Sequence, residues 1–375
     1  MTGAPPIETE VLVIGGGTAG LSTALHLRRR GVAVVVLEKG LAGAQASGVN
    51  FGGVRRQGRD LAELPLAQRS REIWSRLAAL VGDDCEFTPT GHLKIATSAA
   101  ECAALAAYAD AVHDHDLALE VMDEARLRAR FPWFGPGVVG GSFCPDDGQA
   151  NPRLVGPAFA RAARAAGASV IENREATAVE RDGAGFRVET AGGEAFRAAV
   201  LVNTAGAWGG RVAARFGEPV PMETVAPQMA VSEPINYFIE PVLGMFEGGI
   251  YLRQIPRGNV IFGGGRGDAS TETNRAFVRP ENTLWTSALA TRLIPRLKGV
   301  NLIRVWTGIE GEMADGLPSL GPSRATDGLY HAFGFSGHGF QLGPAVGAVL
   351  AELIVDGRTE TAIDAFDIGR FAGDG

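Results

Sequence analysis

Apolar positions near the N-terminus alternate between short runs and a helical pattern. Residues 11–14 form a β-branched run typical of a buried parallel strand, and apolar side chains between 21 and 27 then recur at helical spacing. A second apolar run over 32–37 ends at Glu38. The pattern predicts a strand, a helix and a second strand, which together form the unit of an α/β domain with a parallel sheet.

Three glycines, Gly15, Gly17 and Gly20, lie between this strand and helix in a G-x-G-x-x-G motif. The first permits a tight turn, the second lets the backbone approach a pyrophosphate, and the third lets helix and strand pack closely. The helix N-terminus attracts the phosphates, and Glu38 can accept hydrogen bonds from a ribose diol. Because all parts occur in register, they predict a dinucleotide site rather than a glycine-rich turn without a ligand. Glu38 would repel the 2′-phosphate of NADP, so NAD and FAD remain.

The rest of the chain divides into helical and strand-like stretches. The pattern predicts helices at 61–81 and 99–116, a strand at 91–98, a helix running into a strand over 151–173, a hairpin over 176–192 and a strand over 200–208. Strands recur from 219 to 265, and these predict an antiparallel sheet. The block 329–357 is predicted to form a strand, a glycine loop and a helix that starts near Leu342.

Composition narrows the class of protein. The chain has 375 residues, 46% of them hydrophobic, which predicts one or two domains with large cores. A net charge of −7 argues against a nucleic-acid partner. Three widely spaced cysteines favour neither a disulfide framework nor a zinc site. The N-terminus lacks the order of a signal peptide, and glycines break the best apolar run, 11–27, so we expect a cytoplasmic protein without a membrane span.

A small-residue, glycine-rich stretch at 42–53 favours FAD over NAD, because such a loop can run against a large flat ligand. A flexible surface loop is the alternative. The chain resembles the D-amino-acid oxidase, glycine oxidase and sarcosine oxidase superfamily of FAD-dependent amine oxidoreductases. Within it, the chain most resembles the flavoprotein subunits of hydroxyproline, opine and cyanide-forming glycine dehydrogenases. The resemblance covers nearly the whole chain and rests on GGGTAG with Glu38, on 46–59, on 200–208 and on 334–347.

The resemblance implies an α/β fold (α+β overall) in which a Rossmann-like FAD-binding domain is assembled from discontinuous segments. We assign 1–85, 145–218 and 300–375 to this domain, and 86–144 and 219–299 to an antiparallel-sheet substrate domain. FAD is expected to be non-covalent, because the cysteine and histidine that tether flavin in some members have no counterpart here. The expected cofactor-binding residues are Gly15, Gly17, Thr18, Ala19, Gly20, Glu38, Lys39, Ala46, Ser47, Asn50, Phe51, Gly52, Gly53, Ala176, Gly206, Gly334, Gly337, His338, Gly339, Phe340 and Gln341.

The activity that the resemblance implies is oxidation of a C–N bond. Hydride passes from the carbon beside a neutral nitrogen to flavin N5, and the resulting imine hydrolyses. The expected substrate is a D-amino acid, a secondary amine such as a proline derivative, or an opine-like compound, and the electron acceptor is O2 or a partner redox subunit. Alternatives are an FAD-dependent 2-hydroxy-acid dehydrogenase, the flavin subunit of a heteromeric dehydrogenase, and an NAD-dependent dehydrogenase.

Several side chains are candidates for contact with the substrate. Tyr251 matches a substrate-contacting tyrosine of glycine oxidase-like members, and strand alternation puts Arg253 on the same face, where it would pair a carboxylate unless it is solvent-exposed. Arg55 and the adjacent Arg56 are further possible anion contacts. His338 is either a donor to the reduced flavin or a packed loop residue. Where sarcosine oxidases carry a carboxylate-binding lysine, this chain has Gln341.

The acidic stretch GIEGEMADG at 308–316 suggests a solvated turn, a metal loop or an active-site acid. Only parts of a calcium loop are present, so no metal site is predicted. The resemblance places Glu310 where glycine oxidase-like members carry a carboxylate-binding arginine. We therefore expect Glu310 beside the flavin, favouring an amine-bearing or cationic substrate, and we expect Glu312 and Asp315 at the surface.

Overall fold

The computed structural model describes residues 5–372 of the chain. The helices are α1 (Thr18–Arg29), α2 (Ala46–Val49), α3 (Leu64–Ser75), α4 (Leu77–Val81), α5 (Ala99–Ala111), α6 (Glu124–Arg130), α7 (Pro152–Ala165), α8 (Gly209–Arg215), α9 (Pro280–Leu293) and α10 (Gly339–Asp356). The strands are β1 (Ile7–Ile14), β2 (Val34–Leu37), β3 (Gly53–Val54), β4 (His92–Ala96), β5 (Glu120–Asp123), β6 (Gly140–Cys144), β7 (Gly148–Gln149), β8 (Ser169–Ile171), β9 (Ala176–Asp182), β10 (Gly185–Thr190), β11 (Ala195–Asn203), β12 (Met222–Val225), β13 (Pro227–Pro234), β14 (Val242–Met245), β15 (Tyr251–Gln254), β16 (Asn259–Arg266), β17 (Asp268–Ser270), β18 (Arg275–Phe277), β19 (Leu302–Thr307), β20 (Glu310–Met313), β21 (Ser319–Pro322) and β22 (Leu329–Phe333).

The first sheet has the order β21-β22-β11-β1-β2-β8, and the β9–β10 hairpin extends from β11. Only β21 runs antiparallel among the strands of this main path. Val11 and Val13 face a core shared with α1, α7 and α10, whereas Leu12 and Ile14 face a second core against the hairpin. Burial on both faces explains the uninterrupted apolar run, and the predicted strand–helix–strand unit is confirmed.

The second sheet has the order β19-β13-β16-β15-β14-β4-β6-β5. Its neighbours are antiparallel except β14 and β4, where Val242 pairs with His92 in parallel. The sheet is therefore mixed rather than antiparallel, and the parallel pair joins two strands that are separated in sequence by the FAD-binding segment 145–218. In addition, β19 pairs with β13, although we had assigned residues from 300 onward to the other domain. One face of this sheet packs on α6 and α9, and the other faces the first domain.

Three helices differ from the prediction. The helix at 61–81 is interrupted at Arg76, and the helix at 99–116 ends at Ala111, before a short 3-10 turn over His113–His115. α10 begins at Gly339 rather than at Leu342.

The most membrane-like helix of the described chain is α10 rather than the segment 11–27 that we had considered. By length and composition alone α10 could cross a membrane, but 67% of its apolar window is buried inside the protein. It packs on α1 and α3, and Ser22 Oγ donates a 2.9 Å hydrogen bond to the Pro344 carbonyl. The hydropathy of α10 is therefore that of a central core helix.

Candidate active site

The turn between β1 and α1 is built from glycine because neither its conformation nor its surroundings admit a side chain. Gly15 has φ +108°, a value that L-residues rarely adopt. A Cβ at Gly15 would clash with the Thr204 carbonyl, and one at Gly20 would clash with the Gly15 carbonyl. The packing role predicted for Gly20 is thus visible, although Gly20 itself does not line the cavity described below.

Glu38 is fixed at the end of β2 by two backbone donors. Gly16 N donates to Oε2 at 2.7 Å and Gly40 N donates to Oε1 at 2.8 Å, and the residue is only 7% exposed. Each carboxylate oxygen still has lone pairs for a ribose diol.

The N-terminus of α1 leaves polar groups without protein partners. Thr18 Oγ1 is buried and has no hydrogen-bond partner among the described residues, and the N-cap residue, Gly17, has no side chain with which to cap the helix. Ser47 Oγ accepts from Thr18 N at 3.0 Å, which ties the 42–53 stretch to the helix. Part of that stretch forms α2, so it is an ordered wall rather than a flexible loop. These unpartnered groups and the glycine turn fit the diphosphate of FAD.

A cavity of about 830 Å³ runs from this turn to the second sheet. The sequence-predicted residues that line it are Gly15, Gly17, Thr18, Ala19, Glu38, Lys39, Ala46, Ser47, Asn50, Phe51, Gly52, Gly53, Arg55, Ala176, Gly206, Tyr251, Glu310, Gly334, Gly337, His338, Gly339 and Phe340. These residues would hold FAD and the substrate side by side. The cavity therefore brings together segments that are far apart in the sequence.

Two predicted substrate contacts lie outside the cavity. Gln341 is 1% exposed, and its side chain joins Arg59 Nη2 at 3.2 Å to the Ala67 carbonyl at 2.8 Å, so it fastens α10 to α3. Arg253 is 5% exposed, and its Nη1 donates to Gln149 Oε1 at 2.9 Å behind the Phe51 ring. Arg253 is therefore not placed to pair a substrate carboxylate, as predicted, and it is not solvent-exposed, which was the alternative.

The adjacent arginines Arg55 and Arg56 serve different purposes. Arg56 is buried in an ion pair with Asp147 at 3.2 Å and does not reach the cavity. Arg55 lines the cavity, where its Nη1 donates to the Gln57 carbonyl at 2.7 Å. No carboxylate among residues 5–372 forms an ion pair with Arg55, so its charge is available to a ligand.

His338 is held between Arg55 and Glu63. Its Nδ1 lies 2.9 Å from Glu63 Oε1, and its Nε2 lies 3.3 Å from Arg55 Nη2. A carboxylate only accepts and a guanidinium only donates, so the ring is neutral with its proton on Nδ1. Burial and the charge of Arg59 lower the pKa of His338 to about 3, which agrees with this state. The ring therefore has no N–H left for a flavin, and of the two predicted roles it is closer to the packed loop residue.

Glu310 is separated from the other acids of its stretch. It lines the cavity from β20, and its Oε1 accepts from Gly337 N at 2.9 Å. Burial and the charge of Glu312 raise the pKa of Glu310 to about 7. Glu312 instead pairs with Arg266 at 2.6 Å, and Asp315 pairs with Arg370 at 2.7 Å, both near the surface.

Tyr251 stands on β15 at the end of the cavity away from the glycine turn. Its ring meets Phe51 edge to face, with centroids 4.7 Å apart. Burial, helped by the charge of Glu310, raises the pKa of Tyr251, so the phenol keeps its proton and can donate a hydrogen bond.

Sequence reasoning missed two polar residues on β4 and the buried partner of His338. His92 and Lys94 line the cavity, while Leu93 and Ile95 of the same strand face the core. The alternation in HLKIA was a usable signal, since two polar side chains share one face of a buried strand. Glu63 had no such signal, because its role depends on a contact with a residue distant in sequence.

Comparison with known proteins places this geometry in a family. The family described as FAD dependent oxidoreductase (DAO) matches residues 10–353. The chain is 28% identical to sarcosine oxidase subunit beta of Rhizobium meliloti, over 98% of this chain and 89% of that one. It is 29% identical to glycine oxidase of Geobacillus kaustophilus, over 95% and 94% of the two chains. The crystal structure of L-proline dehydrogenase from P. horikoshii superposes with a TM-score of 0.90 at 29% identity, covering 98% of this chain and 99% of that chain. The chain therefore belongs to the DAO family of FAD-dependent amine and amino-acid oxidoreductases, with FAD as its cofactor.

Proposed function

We propose that the chain oxidises the C–N bond of an amino acid or a related secondary amine, giving an imine that hydrolyses. FAD, when bound, supplies the hydride-accepting chemistry. The observation that carries the proposal is a cavity lined by an unpaired cation, Arg55, and by a carboxylate, Glu310, whose charge acts on Tyr251. An amino acid carries the complementary pair of charges.

Arg55 would bind the substrate carboxylate. Its guanidinium is held by the Gln57 carbonyl and by neutral His338, so it has a fixed direction and no ion-pair partner among the described residues. Charge-assisted bonds from arginine to carboxylate are strong and directional. Fixing the carboxylate in this way orients the adjacent carbon and nitrogen for reaction.

Glu310 would bind and deprotonate the amine. Oε1 is engaged by the Gly337 N–H, so Oε2 is the atom that can take the proton from a substrate ammonium. A pKa of about 7 suits this role at neutral pH, because the carboxylate is available and a proton gained from the amine can be held. The neutral nitrogen that results has the free electron pair that oxidation requires.

The test is anaerobic mixing of the holoenzyme with a panel of amines and 2-hydroxy acids, followed by loss of flavin absorbance. D- and L-amino acids, N-alkyl glycines and proline derivatives form the amine arm. We expect at least one amine to bleach the flavin rapidly, whereas lactate and its homologues do not. Bleaching by a 2-hydroxy acid and by no amine would refute the proposal in favour of hydroxy-acid oxidation.

We also infer that the chain works as the flavin subunit of a heteromeric enzyme. One relative is itself named a subunit of sarcosine oxidase. Large apolar side chains are exposed on α9, β19 and β18, among them Leu284 at 73%, Ile303 at 62% and Phe277 at 58%. Copurification of a partner from the native source would support this role. Rapid peroxide production by the isolated chain would count against it.

A further inference from the structure

Lys94 brings a second unpaired cation to the substrate end of the cavity. Its side chain lines the cavity, and Nζ lies 5.6 Å from the centroid of the Phe246 ring. Burial and the charge of Arg55 lower the pKa of Lys94 to about 8, and no carboxylate of the described chain opposes that shift. The ammonium is thus desolvated without a protein counter-charge.

Lys94 and Tyr251 lie in one row across the second sheet. Gly244 on β14 pairs with Lys94 on one side and with Tyr251 on the other, so all three point to the same face. Two strand spacings, about 10 Å, separate the Cα atoms of Lys94 and Tyr251. The residue between them is glycine, and the His92 ring lies beside it, with Nε2 3.4 Å from where a Cβ would stand.

Lys94 also lies against the segment that carries Arg55. A Cβ at Gly58, three residues after Arg55, would collide with the end of the Lys94 side chain, and φ of Gly58 is +70°. The charge of Arg55 acts on Lys94, and the charges of both act on His92. Arg55 and Lys94 therefore lie at the same end of the cavity and in the same electrostatic environment.

No carboxylate of the described residues forms an ion pair with Arg55 or Lys94. Glu63 is the carboxylate beside Arg59, at 3.9 Å, and it also accepts from His338. His338 and His92 are neutral, since burial lowers both pKa values. Arg55 feels the charges of Asp147 and Glu63 without an ion pair, whereas Lys94 has no counter-charge in the described chain, and a buried cation of this kind is costly unless a ligand pairs with it.

We propose that Lys94 forms a second anion subsite beside Arg55, and that the substrate is an amine with two carboxylates, such as an N-(carboxyalkyl) amino acid. This inference rests on the proposed function. One carboxylate meets Arg55, the nitrogen faces Glu310, and the second carboxylate reaches Lys94. A monocarboxylic amine would satisfy Arg55 and leave Lys94 unpaired.

The test is a titration of the holoenzyme with two thioethers that cannot be oxidised as amines. Thiodiacetate carries two carboxylates and (methylthio)acetate carries one, and binding is followed by calorimetry and by the flavin spectrum. We expect the wild type to bind thiodiacetate about tenfold or more tightly than (methylthio)acetate, as for a hydrogen bond to a charged group. Lys94→Met should weaken the binding of thiodiacetate by the same factor, since one charged contact is lost. The affinity for (methylthio)acetate should change less than about twofold. Lys94→Arg should restore the preference.

Exposed Lys298 provides the control, and Lys298→Met should leave both affinities unchanged. Equal losses for the two ligands in Lys94→Met would overturn the second subsite. If Lys94→Met does not retain FAD, the wild type still decides, because equal affinities for the two ligands overturn the proposal. Neither ligand is oxidised, so failure of the amine reaction and failure of the subsite are separate results.

Discussion

The two ends of the cavity use different parts of the chain. At the dinucleotide end, backbone groups and close glycine contacts form the wall, and Glu38 is held by two backbone N–H groups. At the substrate end, charged and aromatic side chains from several segments converge, and Arg55 and Lys94 have no ion-pair partner among the described residues. Binding at the cofactor end therefore depends on the shape of the backbone, whereas binding at the substrate end depends on which charges face one another.

Gly15→Ala tests the backbone side of this comparison and should have the largest effect. Its positive φ would strain the backbone by about 1–3 kcal/mol, and the new Cβ would also clash with the Thr204 carbonyl. We expect the purified protein to lose most of its FAD and to unfold at a lower temperature, measured by the flavin-to-protein ratio and by thermal denaturation. Gly31→Ala is the control, because Gly31 has φ +85° but no atom within 4 Å. FAD retained by both variants would contradict the argument.

Arg55→Met tests the charge side. Removal of the free guanidinium should weaken binding of carboxylate ligands by about 2–5 kcal/mol, the range for loss of one partner of a buried charge pair. FAD content should stay near that of the wild type, because Arg55 bonds to Gln57 and His338 rather than to the glycine turn. The measurement is the Kd of (methylthio)acetate, with exposed Arg358→Met as control. Unchanged affinity would remove Arg55 from the substrate site.

Glu310→Gln should alter the pH dependence of flavin reduction. In the wild type, protonation of Glu310 below its pKa of about 7 removes the acceptor for the amine proton, so the rate of reduction should fall as the pH decreases through 7. The variant should lack this acidic limb of the pH profile, and its flavin reduction should be slower by about a hundredfold at pH 8. Glu312→Gln, two residues away, should keep this limb and move it to slightly lower pH, because Glu312 pairs with exposed Arg266 and its charge raises the pKa of Glu310. A limb near pH 7 that persists in Glu310→Gln would assign the ionisation to another group.

His338→Ala should have the smallest effect of the four. It removes the acceptor of Arg55 Nη2 and leaves the arginine in place, so substrate affinity should fall by about 1 kcal/mol. The maximum rate of flavin reduction should change little, and this split distinguishes positioning from direct participation. Exposed His113→Ala serves as control. A large loss of rate with unchanged affinity would show that His338 itself takes part in the reaction.

The sequence predicted the cofactor end well because its information is local. Gly15, Gly17 and Glu38 lie within one strand–helix–strand unit, and each keeps the expected place. The alternation in HLKIA places Lys94 on one face with His92, but it does not show what that face meets, because this depends on the parallel pairing of β4 with β14. Gln341 and Arg253 were assigned by position along a loop and a strand. Their side chains turn into the packing between elements, which sequence spacing does not reveal.

The order of strands in the sheets also constrains how the protein can fold. β1 pairs with β11, β11 pairs with β22, and α10 packs on α1. The N-terminal glycine turn is therefore completed only by the last part of the chain. The second sheet likewise joins β4 to β14 and ends at β19. Contacts of such long sequence separation slow folding, and neither domain can close during early synthesis. Loss of α10 should therefore abolish cofactor capture, even though the glycine motif lies at the opposite end of the sequence.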